Sequence, residues 1–179
     1  MVINDIRKYT PKSMDNFFFD NNVWIYLFCP IGNHDQRKQQ LYSSFLQKIR
    51  VVDATIWING LILSEFCNTS IRLDYNLWKQ QEQRNGQFAT DFKENYRCTT
   101  RYKNTVQSVN SAIKSIVYLC QKCSDNFNAL DMSKILANTS EIDFNDSYYA
   151  ELCRVSSFKL VTDDNDFSKL NTPIDIIKG

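Results

Sequence analysis

The sequence predicts an α/β fold, with a central, mainly parallel sheet covered on both faces by helices, and three observations carry that expectation. Short apolar runs that stop at polar residues alternate along the chain with longer stretches of helical periodicity. Strands read as apolar runs, rather than as alternating patterns, belong in a sheet buried on both faces. Finally, 179 residues with 43% hydrophobic, 23% charged and 13% aromatic side chains are the make-up of a globular domain with a substantial core. No repeat or proline-rich linker divides the chain, so residues 1–179 are read as a single domain.

Each element follows from its pattern. Asn16-Phe17-Phe18-Phe19 is a buried strand, and Asp20-Asn21-Asn22 reads as the polar turn that ends it. A second turn is expected from Pro30 to Asn33, and then Leu41, Phe45, Leu46 and Ile49 set a helix over 35–49. Arg50-Val51-Val52 reads as a brief strand. Residues 55–68 place Ile56, Leu61, Leu63 and Phe66 among small residues, which favours a buried helix despite Gly60. From about 72 to 123 charged and aromatic residues intermingle, and two or three helices are expected, the longest over 100–122. Tyr148, Leu152 and Val155 define a helix over 144–155. Phe158 to Thr162 then forms a strand that stops at Asp163-Asp164-Asn165-Asp166, and Pro173 to Ile177 supplies one more.

Composition removes several function classes. With only four glycines, at 32, 60, 86 and 179, no Gly-rich phosphate loop can be written. The longest apolar stretch, Val23 to Ile31, is nine residues, about half of a membrane span. The first fifteen residues carry Asp5, Arg7, Lys8 and Lys12 and lack a secretory apolar block, so a cytoplasmic location is expected. Six scattered cysteines read as reduced, mostly buried thiols. Cys120 and Cys123 form one CxxC without a second, and they close the apolar helical stripe of Val109, Ile113, Ile116 and Val117, which favours core packing over zinc. The lone histidine, His34, falls in the expected turn, and no nucleophilic triad is spelled out.

Charge is distributed unevenly. Between Glu141 and Asp166 there are seven acids and two bases, whereas the rest of the chain carries nineteen bases and thirteen acids. An acidic spot on a mildly basic body suits a site that holds a cation and attracts a polyanion. In an open parallel sheet, strands end and helices begin along one edge. Asp20 closes the first strand, Asp164 follows the strand over 158–162, and Asp146 sits in the first turn of the helix beginning near Phe144. The 18-residue interval from Asp146 to Asp164 fits that helix, a short connection and a strand returning to the same edge. All three acids should therefore meet there. Each also has an ordinary role: Asp143 and Asp146 as a helix cap and first-turn acid, Asp164 as a turn cap, and Asp20 as a turn residue. Together they would repel one another unless a cation intervened, and bare carboxylate oxygens point to Mg²⁺ or Mn²⁺ rather than zinc.

Four segments resemble the PIN domain ribonucleases, which include the VapC-type toxins. They are Phe17-Phe18-Phe19-Asp20-Asn21-Asn22-Val23-Trp24, Leu63-Ser64-Glu65-Phe66, Asp143-Phe144-Asn145-Asp146-Ser147-Tyr148-Tyr149-Ala150, and Leu160-Val161-Thr162-Asp163-Asp164-Asn165-Asp166-Phe167. The order and spacing of the last two are the most specific. The resemblance implies a three-layer α/β/α sandwich and an acidic quartet of Asp20, Glu65, Asp146 and Asp164 that binds the metal and carries catalysis. It also implies supporting roles for Asn22 and Thr162 beside the metal, and Asp143 and Asp166 become candidates for outer contacts. Asp164 is preferred to Asp163 because it lies two residues after Thr162.

What the resemblance implies for function is metal-dependent hydrolysis of RNA phosphodiester bonds, with an antitoxin partner where one is encoded alongside, and homodimerisation as the default. Two other readings stand beside it: a non-catalytic PIN-like module that binds RNA or a partner, and a nuclease acting on DNA. For RNA, Arg97, Arg101 and Lys103, interleaved with Tyr96 and Tyr102, are the best basic and aromatic cluster. The chain is longer than a compact toxin of that family, and the excess lies mainly in an enlarged helical section at about 72–125.

Overall fold

A computed structural model describes residues 1–32, 35–170 and 172–179. The expected turn at Asn33 and the position of His34 lie outside the described residues. The architecture is α/β, with a six-stranded sheet in the order β1-β6-β5-β2-β3-β4, every pair parallel. The strands are β1 (Val2–Asp5), β2 (Asn16–Phe19), β3 (Thr55–Ile58), β4 (Gln121–Lys122), β5 (Lys159–Thr162) and β6 (Asp175–Lys178). The helices are α1 (Asn21–Phe28), α2 (Gln36–Val51), α3 (Gly60–Arg84), α4 (Thr100–Leu119), α5 (Met132–Asn138) and α6 (Phe144–Ser156).

The layering follows from the pleat of β2, whose successive side chains face opposite sides of the sheet. Phe17 packs edge-on against Phe45 of α2, with ring centroids 5.7 Å apart, and Phe19 packs against Trp24 of α1 at 5.0 Å. Phe18 faces the other way, 5.5 Å from Tyr149 of α6. Helices α1 and α2 therefore cover one face and α6 the other, with β2 buried between them. Phe17, Phe18 and Phe19 are fully buried. Removing such a ring by a Phe→Ala change typically costs about 3–5 kcal/mol.

Several sequence expectations need correction. Asp20-Asn21-Asn22 is no turn: Asp20 is the N-cap of α1, which starts at Asn21. Residues 50–52 finish α2 instead of forming a strand, because the helical stripe of Tyr42, Phe45 and Ile49 carries on into its last turn. The strand lies just beyond, at Thr55–Ile58, where burial alternates with period two, and the helix expected over 55–68 starts only at Gly60 after the Asn59 cap. Cys120 ends α4, and the edge strand β4 separates it from Cys123, so the CxxC lies outside the helix. Strand β1 has no counterpart in the sequence reading, since its four residues are all at least partly exposed. No described helix is long and apolar enough to cross a membrane.

Strand order places the site. From β2 the chain moves to β3 and β4 on one side, then crosses to β5 and β6 on the other. The β2/β5 seam is thus a switch point, where the loops after the two strand ends part and leave a crevice.

Candidate functional site

A cleft of about 440 Å³ opens at the carboxyl ends of these strands, with Asp20, Glu65, Asp143, Asp146 and Asp164 among the residues that line it. Asn21, Asn22, Thr69 and Tyr26 share its wall, and among the described residues that line it there is no Lys or Arg. The fold therefore gathers the four acids Asp20, Glu65, Asp146 and Asp164, supplied by four different parts of the chain, around one cavity.

Local structure explains each position. The Asp20 amide donates to the Val161 carbonyl at 2.9 Å, extending the β2/β5 pairing by one residue before the chain turns into α1. The buried carboxylate of Asp20 accepts the Asn21 amide at 2.6 Å on one oxygen. On the other it accepts the Asn22 side chain at 2.6 Å and the Thr162 hydroxyl at 2.7 Å. The Thr162 oxygen in turn accepts the Asp164 amide at 2.9 Å and Asn22 Nδ2 at 3.2 Å, while Asn22 Oδ1 accepts the Asp163 amide at 3.2 Å. Asn22 and Thr162 thus lace the end of β2 to the end of β5 and fix Asp20 against Asp164.

Glu65 is one and a half turns into α3, held by the Tyr149 hydroxyl at 2.7 Å and Asn145 Nδ2 at 3.2 Å. Asp143 is the N-cap of α6 and accepts the Asp146 amide at 3.0 Å, which anchors the turn that presents Asp146. Asp163 and Asp164 part company. Asp163 is bound by Lys38, by Tyr42 at 3.2 Å and by Tyr26 at 3.1 Å on the α2 side, while Asp164 lines the cleft. Asp166 pairs with Lys169 at 2.7 Å and does not line it, although its amide donates to Asp164 Oδ1 at 2.8 Å.

The electrostatics are those of crowded anions. Burial pushes the Asp20 carboxyl up to about 7, against the pull of the Thr162 and Asn21 hydrogen bonds, and the charges of Glu65 and Asp164 add to it. Burial, followed by the charges of Asp20, Asp143, Asp164 and Glu65, raises Asp146 to about 8. An all-oxygen set of this kind fits a hard divalent cation. Asn21 agrees with that chemistry: it lines the cleft, and its Oδ1 is buried without a hydrogen-bond partner. Among the described residues, however, no group of three His, Cys, Asp or Glu side chains is arranged to hold a metal ion as it stands. The acids share one wall without closing into a cage.

The fold has a solved counterpart. It is similar to a chain in the crystal structure of VapBC2 from Rickettsia felis bound to a DNA fragment from its promoter, with a TM-score of 0.53. Sequence identity is 12%, and the match covers 92% of this chain and 98% of that one. At so low an identity the likeness is one of fold. No protein-family model and no curated protein sequence matches the chain.

The sequence reading did not single out Tyr149, Asn145 and Asn21. Tyr149 and Asn145 fall at i+3 and i−1 from Asp146 inside the segment quoted for the resemblance, so their neighbourhood was visible although their contacts to Glu65 were not. The basic cluster divides. Arg97 and Lys103 are exposed, but Arg101 is committed to Asp74, with Nη2 2.6 Å and Nε 3.0 Å from its carboxylate oxygens. That bidentate pair braces α3 against α4 and takes Arg101 out of the pool of available charge.

Proposed function

We infer that this protein is a PIN-like, metal-dependent endoribonuclease whose catalytic site is the cleft at the β2/β5 seam. The observation that carries the reading is the convergence of Asp20, Glu65, Asp146 and Asp164 on one cavity lined by no Lys or Arg among the described residues. Such a set is unfavourable by itself and favourable around Mg²⁺ or Mn²⁺.

The four acids are the residues that would hold the ion. When bound, it supplies positive charge against the phosphoryl oxygens and makes water a usable nucleophile near neutral pH. The rest of the work belongs to the chain. Thr162 and Asn22 orient Asp20, Tyr149 and Asn145 orient Glu65, and the Asp143 cap presents Asp146. The uncompensated acids turn away a polyanion until a cation arrives, which ties substrate entry to cation loading. The fold likeness to a VapBC2 chain supports an antitoxin as partner and a toxin role for this protein; the same proposal has it act in the cytoplasm as a homodimer.

A second reading is a PIN-like module that binds RNA at the same cleft without cutting it. A cleavage assay separates the two. Labelled RNA and DNA are incubated with Mn²⁺, Mg²⁺ or EDTA. Cation-dependent loss of full-length RNA supports the nuclease, intact RNA retained in a complex supports the binding module, and cleavage restricted to DNA replaces RNA as the substrate.

A further inference from the structure

A second cavity lies beside the acidic cleft, on the same helix. Asn68, Ile71 and Arg72 of α3, together with Phe92, Arg97 and Tyr102, line a groove of about 440 Å³. The acidic cleft is lined from α3 by Glu65, Thr69 and Leu73. Positions 65, 69 and 73 form one stripe at i, i+4 and i+8, and positions 68 and 72 form the adjoining one. The two cavities therefore run side by side along α3. Glu65 and Arg72 are seven residues apart, about 10 Å along the axis at 1.5 Å per residue.

The chemistry of the two cavities is opposite. Arg101 is engaged by the buried Asp74, but among the described residues neither Arg72 nor Arg97 has an ion pair or a side-chain hydrogen bond, and both are exposed. The Arg97 guanidinium lies over the Tyr102 ring, 5.8 Å from its centroid. Tyr102 is itself braced edge-on by Tyr96 at 5.4 Å and by Phe92 at 6.4 Å. The groove thus offers a fixed aromatic ring, a guanidinium already placed over it, a second free guanidinium and an amide. Phosphates take the guanidinium forks, and bases stack on rings and guanidinium planes.

We propose that this groove is a substrate subsite that seats single-stranded nucleic acid beside the bond held in the acidic cleft. Arg72 and Arg97 grip a flanking phosphate, and the Tyr102–Arg97 stack receives a base. The proposal rests on the nuclease reading for the position of the cut, but the groove's binding stands independently of cleavage.

The test is fluorescence anisotropy with a labelled twelve-nucleotide single-stranded RNA in EDTA, so that no cation is present and the strand stays whole. The wild-type chain, Arg72→Ala/Arg97→Ala, Asp146→Asn and the exposed-lysine control Lys114→Ala are compared, each with a melting curve to verify folding. Arg72→Ala/Arg97→Ala should weaken binding at least about tenfold and lower the slope of log affinity against log salt by about 1–2. Lys114→Ala should bind within about twofold of wild type, and Asp146→Asn as well as wild type or better. Equal affinity and slope in the double variant and wild type would overturn the proposal. So would tighter binding of a duplex than of the single strand, or equal binding of a polyglutamate peptide, which would show charge without stacking. Single-stranded DNA bound through the same two arginines supports it. Groove-dependent binding with no cleavage under Mn²⁺ keeps the subsite and removes the nuclease. Cleavage that requires Asp146 but not Arg72 or Arg97, with affinity unchanged, does the reverse.

Discussion

Buried carboxylates are treated in opposite ways in two regions of this protein. In the helical section, Asp74 is enclosed by Arg101, Tyr96 and Thr105, with the Tyr96 hydroxyl at 2.6 Å and the Thr105 hydroxyl at 2.8 Å. Burial alone would raise its pKa, but these hydrogen bonds and the Arg101 charge hold it below the ordinary carboxylate range. At the β2/β5 seam, Asp20 receives hydrogen bonds but no cation, Asp146 has only neighbouring acids, and both are pushed up to about 7 and 8. A carboxylate given its own guanidinium is a strut. A carboxylate left among its own kind is where a cation would bind on the proposed reading, and that difference would separate the scaffold from the site.

The sharpest way to break this comparison is to neutralise the seam. Asp146→Asn or Asp164→Asn should reduce Mn²⁺-dependent RNA cleavage by about a hundredfold or more while the protein remains folded by circular dichroism. Full activity in both variants would make the acidic cluster a bystander. Arg101→Ala should behave in the reverse manner. It leaves Asp74 buried without its charge partner, which for a fully buried pair costs about 3–5 kcal/mol; since Arg101 is one-third exposed, a loss at or below the lower end of that range is expected. Catalysis per folded molecule should be kept, as measured by thermal melting alongside a rate assay.

A smaller effect is expected at Tyr149, which orients Glu65 without being one of the four acids. Tyr149→Phe should lower cleavage about tenfold and stability by about 0.5–1.5 kcal/mol. A stability loss without a change in rate would assign the hydroxyl to the scaffold.

The mildest effect is on pH dependence. Asp20 and Asp146 bind protons more tightly in the folded chain than in the unfolded one, so their contribution is full below about pH 4 and is lost as pH rises through about 7 and 8. The cation-free protein should therefore melt lower at pH 8.5 than at pH 6. Asp146→Asn should flatten that fall and, at pH 8.5, raise the midpoint by about 2–4 °C for each kcal/mol of relieved repulsion. Manganese at pH 8.5 should raise the wild type and leave Asp146→Asn nearly unmoved.

Sequence reading was strongest where one physical signal acted alone. The phenylalanine run of β2 and the strand β5 each combine an apolar pattern with an acidic stop, the helix α6 combines one with an acidic start at Asp143, and the ends of all three were placed to within a residue or two. It failed where two signals overlapped. Thr55–Ile58 alternates with period two, but it runs directly into the apolar start of α3, and the merged stretch mimics one helix. Asp20-Asn21-Asn22 has turn composition, and the same residues are good caps, so only the three-dimensional path distinguishes a turn from a helix start. Strand β1 is nearly invisible because an edge strand with exposed side chains needs no strong apolar code. In the candidate site, the edge shared by Asp20, Asp146 and Asp164 followed from strand and helix order. Glu65 needed the family likeness, since a glutamate inside a helix carries no sign of where it points. The separate fates of Arg97 and Arg101 were also unreadable, because they depend on Asp74, which lies 27 residues before Arg101.

The hydrogen bonds that join Asp20, Asn22 and Thr162 have a temporal meaning as well as a spatial one. They fasten one segment to another that is translated 140 residues later in the case of Asn22 and Thr162. A chain cut short before residue 159 would lack Thr162 and Asp164, and with them one side of the cavity. Fragments that end before β5 therefore cannot assemble this cleft, however well their earlier elements fold.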